Sequence, residues 1–500
     1  MEKLVRVCRF SVRERIKVAI TVVFVCGNIV AAVVFFSPER PETGDITRYL
    51  EPEFWRTQAL TEIVPFWEQT IDRDKGGFYS DVMFDGSVNK HKGKFPRMIS
   101  RIAYGYSVAY LLSGDEHYLD LARYALDYLY RYGWDEKNGG WILYRDRNNR
   151  SEKYFQKNMF DETYGNLGPV LYYFATHDKT ALPYIDKTHE LIQTRAWDPE
   201  YKGYFAEVSP EWYKTVSTKS FNSQMDTCTA YLIYYYLATG KKSLYDDFIR
   251  VADVAREKMI DKNTGFVGET FTDDWKSIEN NLWVGHNLKT GWVFTRAYHL
   301  TGEKKYLDAA ESIARIQTKL NWDSRYWGWK FQFHALKPSL TDDSKDWWTQ
   351  TEGNFLMLNL YRFTGDRAYL ENFMQCSWFW DTYIIDHKNL ECFPSTSPDG
   401  KDARRQKGDL YKAMYHSMEH SLMNYLYLSF YVKKTDASLY FNLSSDYDGE
   451  RHYVKIIEDK TVILKKVEIN GKPWTRFNAK ECFISMPKGR NMKVRVTLGV

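Results

Sequence analysis

The chain has 500 residues, of which 44% are apolar and 17% aromatic, enough to build a large core without disulfides. Its net charge of +4, from 69 basic and 65 acidic residues, excludes the basic footprint of a nucleic-acid-binding protein. The six cysteines show no CxxC spacing and no zinc pattern.

Residues 1–17 read as a basic cytoplasmic tail, with six Lys and Arg against Glu2 and Glu14. Residues 18–36, VAITVVFVCGNIVAAVVFF, carry no charge. As a helix they would span about 28 Å, close to a bilayer core. The expectation is a transmembrane anchor with the lipid bilayer as partner and a linker over 37–52. The basic flank orients a single-pass membrane protein with its N-terminus cytoplasmic and the remainder outside the cytoplasm, periplasmic or extracellular, or lumenal in a eukaryote.

Residues 53–432 carry an internal repeat. Asp72, Asp135, Asp198, Asp261, Asp323 and Asp386 each open a turn leading into aromatic residues, as in DRDKGGF and DEKNGGW, at spacings of 62 or 63. The turn glycines Gly114, Gly240, Gly302 and Gly365 run in phase, and His177 fills the missing position. Before each of these turns lies a segment apolar nearly all round, as in a buried helix; after it lies an amphipathic one. Inner helices are expected near 98–112, 160–175, 225–239, 286–300, 350–363 and 415–431. The last of them, SLMNYLYLSFYV, is as apolar as the others, which suits a closed ring better than an open solenoid with polar caps. The fold class is therefore an all-α (α/α)6 barrel over 53–432. Residues 438–500 alternate in places, as in VKIIEDKTVILKKVEI, and carry an Asn470-Gly471 turn, so a small β-rich accessory domain is expected there.

In such a barrel the inner helices start at one rim, where their dipoles favour an oxygen-rich ligand. Near those starts lie Arg101, Asp161, Tyr164, Asp226, His286, Lys289, Trp347, Trp348, Glu352, Tyr411, His416 and Glu419. Ionisable groups on apolar helices are costly unless paired or functional.

Four motifs in phase with the repeat carry a resemblance: Arg101 in ISRIAYGYSVAYLLSGD, Gly285-His286, SKDWWTQTE over 344–352, and Tyr415-His416. On these, the chain resembles the N-acylglucosamine 2-epimerase superfamily, which includes cellobiose 2-epimerases and mannose isomerases. The resemblance implies a carbohydrate substrate and a proton taken from C2 of an opened sugar to give a cis-enediolate. Return of the proton to C2 or to C1 makes the reaction a 2-epimerisation or an aldose–ketose isomerisation. His286 and His416 would transfer the proton, Arg101 would hold the oxyanion, and Glu352 would complete the catalytic set. Trp347, Trp348 and Tyr411 would stack on sugar faces, with Asp161, Tyr164, Asp226, Lys289 and Glu419 as further contacts. No metal, nucleotide or redox cofactor is implied.

The chain departs from that pattern. Asp226 replaces a histidine, Lys289 a glutamate, Glu419 an arginine and Tyr411 a tryptophan. The opposite sign changes at Lys289 and Glu419 lead to the expectation that these two exchange polarity across the pocket. Two other functions remain open on the residues alone. A glycoside hydrolase of the same fold, acting on cell-envelope or extracellular glycan, would use two of Asp161, Asp226, Glu269, Glu352 and Glu419. A non-catalytic glycan-binding protein would need only the aromatic pocket. The run from His416 to His420 also reads HxxEH, an inverted zincin pattern without an evident third ligand.

Overall fold

The computed structural model describes residues 45–151 and 155–500, together with the backbone of 19–25 and 28–34. The repeat folds as alternating outer and inner helices. Outer α1 (52–68) leads to inner α2 (Pro96–Ser113), then α3 (116–133), α4 (Met159–Thr176), α5 (182–196), α6 (222–239), α7 (242–259), α8 (Val284–Thr301), α9 (Lys304–Asn321), α10 (Trp347–Thr364), α11 (367–384) and α12 (415–433). Even-numbered helices are the inner ones, and they begin at most three residues earlier than the repeat indicates. Each packs on the next, and α12 packs back on α2, which closes the ring. α2, α6, α8 and α10 end on left-handed Gly114, Gly240, Gly302 and Gly365; His177 takes the same conformation after α4 at φ 52°.

The turn aspartates do more than shape the loops. Asp72 Oδ1 accepts the backbone N–H groups of Asp74 and Lys75. Its other oxygen accepts from Lys94, a buried lysine just ahead of α2, at 2.6 Å. The same buried pair recurs as Lys157–Asp135 (3.1 Å), Lys219–Asp198 (2.6 Å), Lys345–Asp323 (2.7 Å) and Lys407–Asp386 (2.8 Å). Each lysine stands 21 or 22 residues after its aspartate and ties the Asp loop to the start of the next inner helix. In the fourth unit Leu282 occupies that position after Asp261, and the next helix is the one that carries His286.

Burial alone would push the Asp72 carboxyl up, but Lys94 and Arg147 outweigh it and hold it at about 2 against an ordinary value of 3.8. A depressed carboxylate contributes stability that is fully present above its unfolded value and lost as pH falls through its folded one. In Asp72→Asn this contribution is absent, so the gap in urea midpoint between it and the unaltered chain should be constant above pH 4 and narrow between about pH 4 and pH 2. A gap independent of pH would show that the pair contributes nothing through its charge.

After α12 the chain forms the β domain: β3 (Ala437–Ser445), β4 (Glu450–Tyr453), β5 (Ile463–Ile469), β6 (Lys472–Trp474), β7 (Phe477–Asn478), β8 (Phe483–Met486) and β9 (Gly489–Gly499). They make two antiparallel sheets, ordered β3-β9-β5-β6 and β4-β8-β7. This domain covers the C-terminal ends of the inner helices. A Cβ on Gly114 would sit 2.8 Å from Tyr440, and one on Gly240 would sit 2.8 Å from Tyr453. Lys460 donates to Leu300 O near the end of α8, and Arg296 of α8 holds Glu458 at 2.5 Å with both side chains buried. The rim bearing the inner-helix N-termini is the opposite one.

Within the N-terminal unit, residues 1–44, the described segments differ from expectation. The anchor was expected as a helix over 18–36. Ala19–Val25 (β1) and Asn28–Val34 (β2) instead pair as antiparallel strands, and no described helix is long and apolar enough to cross a membrane. The run is rich in Val and Ile and is broken by Gly27-Asn28, a composition that favours strands over helix. The basic tail over 1–17 and half of the linker, 37–44, lie outside the described residues. Cys228, Cys376, Cys392 and Cys482 are buried and form no disulfide among the described residues.

Candidate active site

His286 lies in the first turn of α8 and is held on three sides. Its Nδ1 meets Glu269 Oε2 at 2.5 Å, and the other oxygen of that carboxylate accepts the Trp283 N–H at 2.8 Å. Its ring stacks on Phe221 at 3.7 Å and lies 4.7 Å from Trp283. A carboxylate on Nδ1 fixes the tautomer: Nδ1 carries the hydrogen, and Nε2 faces outward with its lone pair. Gly285 is required by close approach, since a Cβ there would sit 2.3 Å from Trp348. The Trp348 ring thereby settles 5.2 Å from His286 and 6.2 Å from His416, in contact with both imidazoles. Trp347 meets His416 edge-on at 5.9 Å.

On the α2 side, Arg101 lies 3.8 Å over the Tyr164 ring and donates to the backbone carbonyl of Tyr411, while its buried Nε has no partner. Tyr411 therefore serves through its main chain, and its ring is exposed at the rim. Asp161 is not free for substrate, because it pairs with Arg97, whose remaining donors hold Leu410 O.

The centre is a chain of charges. Lys289 reaches Asp226 Oδ1 at 2.9 Å and Glu352 Oε1 at 3.5 Å, and Asp226 also accepts from Tyr164 and Asn222. Burial pushes the Asp226 carboxyl up, but Lys289 overrides it and keeps it below the ordinary value. Asp226 lies in the 11-residue π-helical stretch Asn222–Leu232 that opens α6, a geometry frequent at functional sites. The expected exchange between Lys289 and Glu419 is corrected here: the partner of Lys289 is Asp226, so the histidine and glutamate replacements compensate each other as an ion pair. Glu419 instead accepts from Tyr234 at 2.5 Å. His416 sits with Nδ1 buried and 3.8 Å from Glu352 Oε1. Burial, then the positive charges of Lys289 and Arg101, hold it well below the ordinary histidine value, so it is neutral at pH 7.

The arrangement offers two imidazoles beside an indole wall, an arginine with an unused donor, and a polar floor. Asp161, Asp226 and Glu269 are committed to Arg97, Lys289 and His286. That leaves Glu352 and Glu419, both fully buried, with one oxygen of each within 4.8 Å of the other. Glu352, His416 and Glu419 are close enough to share a cation, but the Lys289 ammonium already supplies positive charge there. The HxxEH reading fails on geometry: His420 turns away to Asn354 at 2.9 Å and packs on Trp55 and Trp380. The sequence offers Glu269 only as a hydrolase carboxylate; its bracing of His286, and the pairing of Arg97 with Asp161 and of Asn222 with Asp226, carry no signal in the linear pattern.

Fold and site together define an (α/α)6-barrel protein with a paired-histidine, aromatic-walled cluster at the inner-helix N-termini. The chain belongs to the N-acylglucosamine 2-epimerase (GlcNAc 2-epimerase) family, which matches residues 77–419. It is 26% identical over 377 residues to the cellobiose 2-epimerase of Bacteroides fragilis, covering 72% of this chain and 95% of that one. It is 23% identical over 394 residues to the D-mannose isomerase of Marinomonas mediterranea, covering 75% and 95%. Among solved structures, the cellobiose 2-epimerase of Bacillus thermoamylovorans superposes with a TM-score of 0.70 at 24% identity, over 75% of this chain and 98% of that one.

Proposed function

We propose that this protein is a sugar 2-epimerase or aldose–ketose isomerase that moves a proton through a cis-enediolate. The observation that carries the reading is the pair of imidazoles packed against Trp348, one of them braced by Glu269 with its Nε2 lone pair free. His286 takes the C2 proton, and Glu269 stabilises the imidazolium that forms. Arg101 presents fixed N–H groups to the developing oxyanion. The activities carried by the names of the Bacteroides and Marinomonas relatives are of this kind.

Incubation of reducing mono- and disaccharides in D2O, followed by NMR, tests the proposal. Deuterium at C2 with conserved mass is expected; cleavage to shorter sugars, or no exchange from any of them, would overturn it. Glu269→Gln should lower kcat by about 10²-fold or more, because an amide N–H facing Nδ1 forces the hydrogen onto Nε2. Unchanged turnover in that variant would remove the brace from the mechanism.

Placement outside the cytoplasm belongs to the same proposal and rests on the uncharged run 18–36 and its basic flank. Membrane fractionation of the full chain checks it: recovery in the soluble fraction would remove the anchor.

A further inference from the structure

Three buried carboxylates meet one ammonium at the pocket floor. Asp226 takes Lys289 at 2.9 Å, and Glu352 lies 3.5 Å from the same nitrogen. Glu419, with oxygens within 4.8 Å of those of Glu352, has no cation of its own. Arg296, the next positive charge beneath, is taken by Glu458. The groups that face the two glutamates are Lys289 and Arg296 from α8, Asp226 and Tyr234 from α6, Tyr104 from α2, and Tyr415 with His416 from α12. Both oxygens of Glu352, Oε2 of Glu419 and Nδ1 of His416 are buried without a hydrogen-bond partner. Two ionised carboxylates side by side in such a place repel each other and lack hydration.

We propose that Glu352 and Glu419 share one proton, and that Glu352 delivers it to His416 Nδ1 while His416 Nε2–H protonates the substrate carbon. The two histidines are then opposite in kind. Glu269 makes His286 the acceptor, and the protonated glutamate pair makes neutral His416 a donor. In a turnover the C2–H bond breaks, its proton goes to His286 Nε2 and the electron pair goes into the enediolate. The Nε2 proton of His416 then bonds to carbon as Glu352 closes its 3.8 Å separation from Nδ1 and gives that nitrogen the carboxylic proton. The turnover leaves His286 one proton over and His416 with its hydrogen on Nδ1; water takes the extra proton from His286 and gives one to His416 Nε2 as the Nδ1 proton returns to Glu352. The direction of the carboxyl shifts agrees: burial pushes both groups up, Glu352 to about 8, with the Glu419 charge adding to the rise at Glu352. Glu352 and Glu419 act through His416 and are positioning residues. Glu419 stands at a departure from the family pattern, so the device belongs to this chain.

The mechanistic half rests on the proposed isomerase reading, but the shared proton is tested without a sugar. Infrared difference spectra of the full chain carrying 13C-carboxyl glutamate should show a protonated-carboxyl band at pH 7 that is lost in both Glu352→Gln and Glu419→Gln, since either single carboxylate left beside Lys289 ionises. Glu162, another buried glutamate raised to about 8, cancels in the difference. A band retained in both variants, no band in the unaltered chain, or stoichiometric divalent metal in the purified protein would overturn the proposal. If a variant does not fold, 15N-histidine NMR of the unaltered chain decides: His416 should carry its hydrogen on Nε2, and the Nδ1–H tautomer overturns the relay. With turnover in hand, Glu352→Gln should lose about 10²-fold in kcat with KM little changed. Glu419→Gln should move the alkaline limb of the pH profile to lower pH, and a limb that stays in place counts against the shared proton.

Discussion

Replacing His286 with alanine is expected to slow deuterium entry at C2 by about 10²–10⁴-fold, the contribution of a positioned general base. The whole local structure is spent on that imidazole: Glu269 fixes its tautomer, Phe221 and Trp283 fix its plane, and Trp348 closes its outer side. No other imidazole near the site shares this bracing. His416 has no carboxylate within hydrogen-bond distance of Nδ1, and His420 faces away. The variant should remain folded, because its surroundings are held by their own contacts: Glu269 keeps the Trp283 N–H, and Lys289 keeps Asp226. Rate and melting temperature measured together separate the two effects. A folded His286→Ala chain retaining a tenth or more of the exchange rate would place the base elsewhere.

Much of this was legible in the sequence because the repeat is a strong periodic signal. Six aspartates at 62- or 63-residue spacing fix the number of units, and apolar segments in phase with them fix the inner helices to within a turn. His286, His416, Arg101 and Trp348 follow from that register, since each lies within two turns of an inner-helix start. Residues that act from outside the helices were harder to see. Glu269 precedes His286 by 17 residues, in a loop, and nothing in the linear pattern distinguishes it from other loop carboxylates. The Asp226–Lys289 pair joins neighbouring inner helices 63 residues apart, and its two changes read separately as anomalies. The buried lysines at 21 or 22 residues after the turn aspartates were visible but resemble ordinary surface charges until their burial is known. Residues 18–36 read as a spanning helix on hydropathy and length, two measures that apolar strands such as the paired 19–25 and 28–34 also satisfy.

Glu458→Ala should carry the largest stability cost in the chain, on the order of 3–5 kcal/mol, although it lies at the rim opposite the pocket. Glu458 belongs to the β domain and holds Arg296 at 2.5 Å, with neither side chain reaching solvent. The guanidinium is packed 4.7 Å over Trp292 and 5.3 Å from Tyr234, so it has no route to water if its partner is removed. The neighbouring contact gives the contrast. Arg362–Asp459 at 3.1 Å also joins α10 to the β domain, but the arginine is 26% exposed, and Arg362→Ala should cost about 1 kcal/mol or less. The double change Arg296→Met with Glu458→Met should cost less than Glu458→Ala alone, because the penalty comes from an orphaned buried charge rather than from the lost attraction. Urea midpoints for the three variants decide the matter. If Glu458→Ala proves no worse than Arg362→Ala, the β domain is an appendage; if the expected order holds, it is the plug that closes the barrel and keeps Tyr234 in place beneath Glu419.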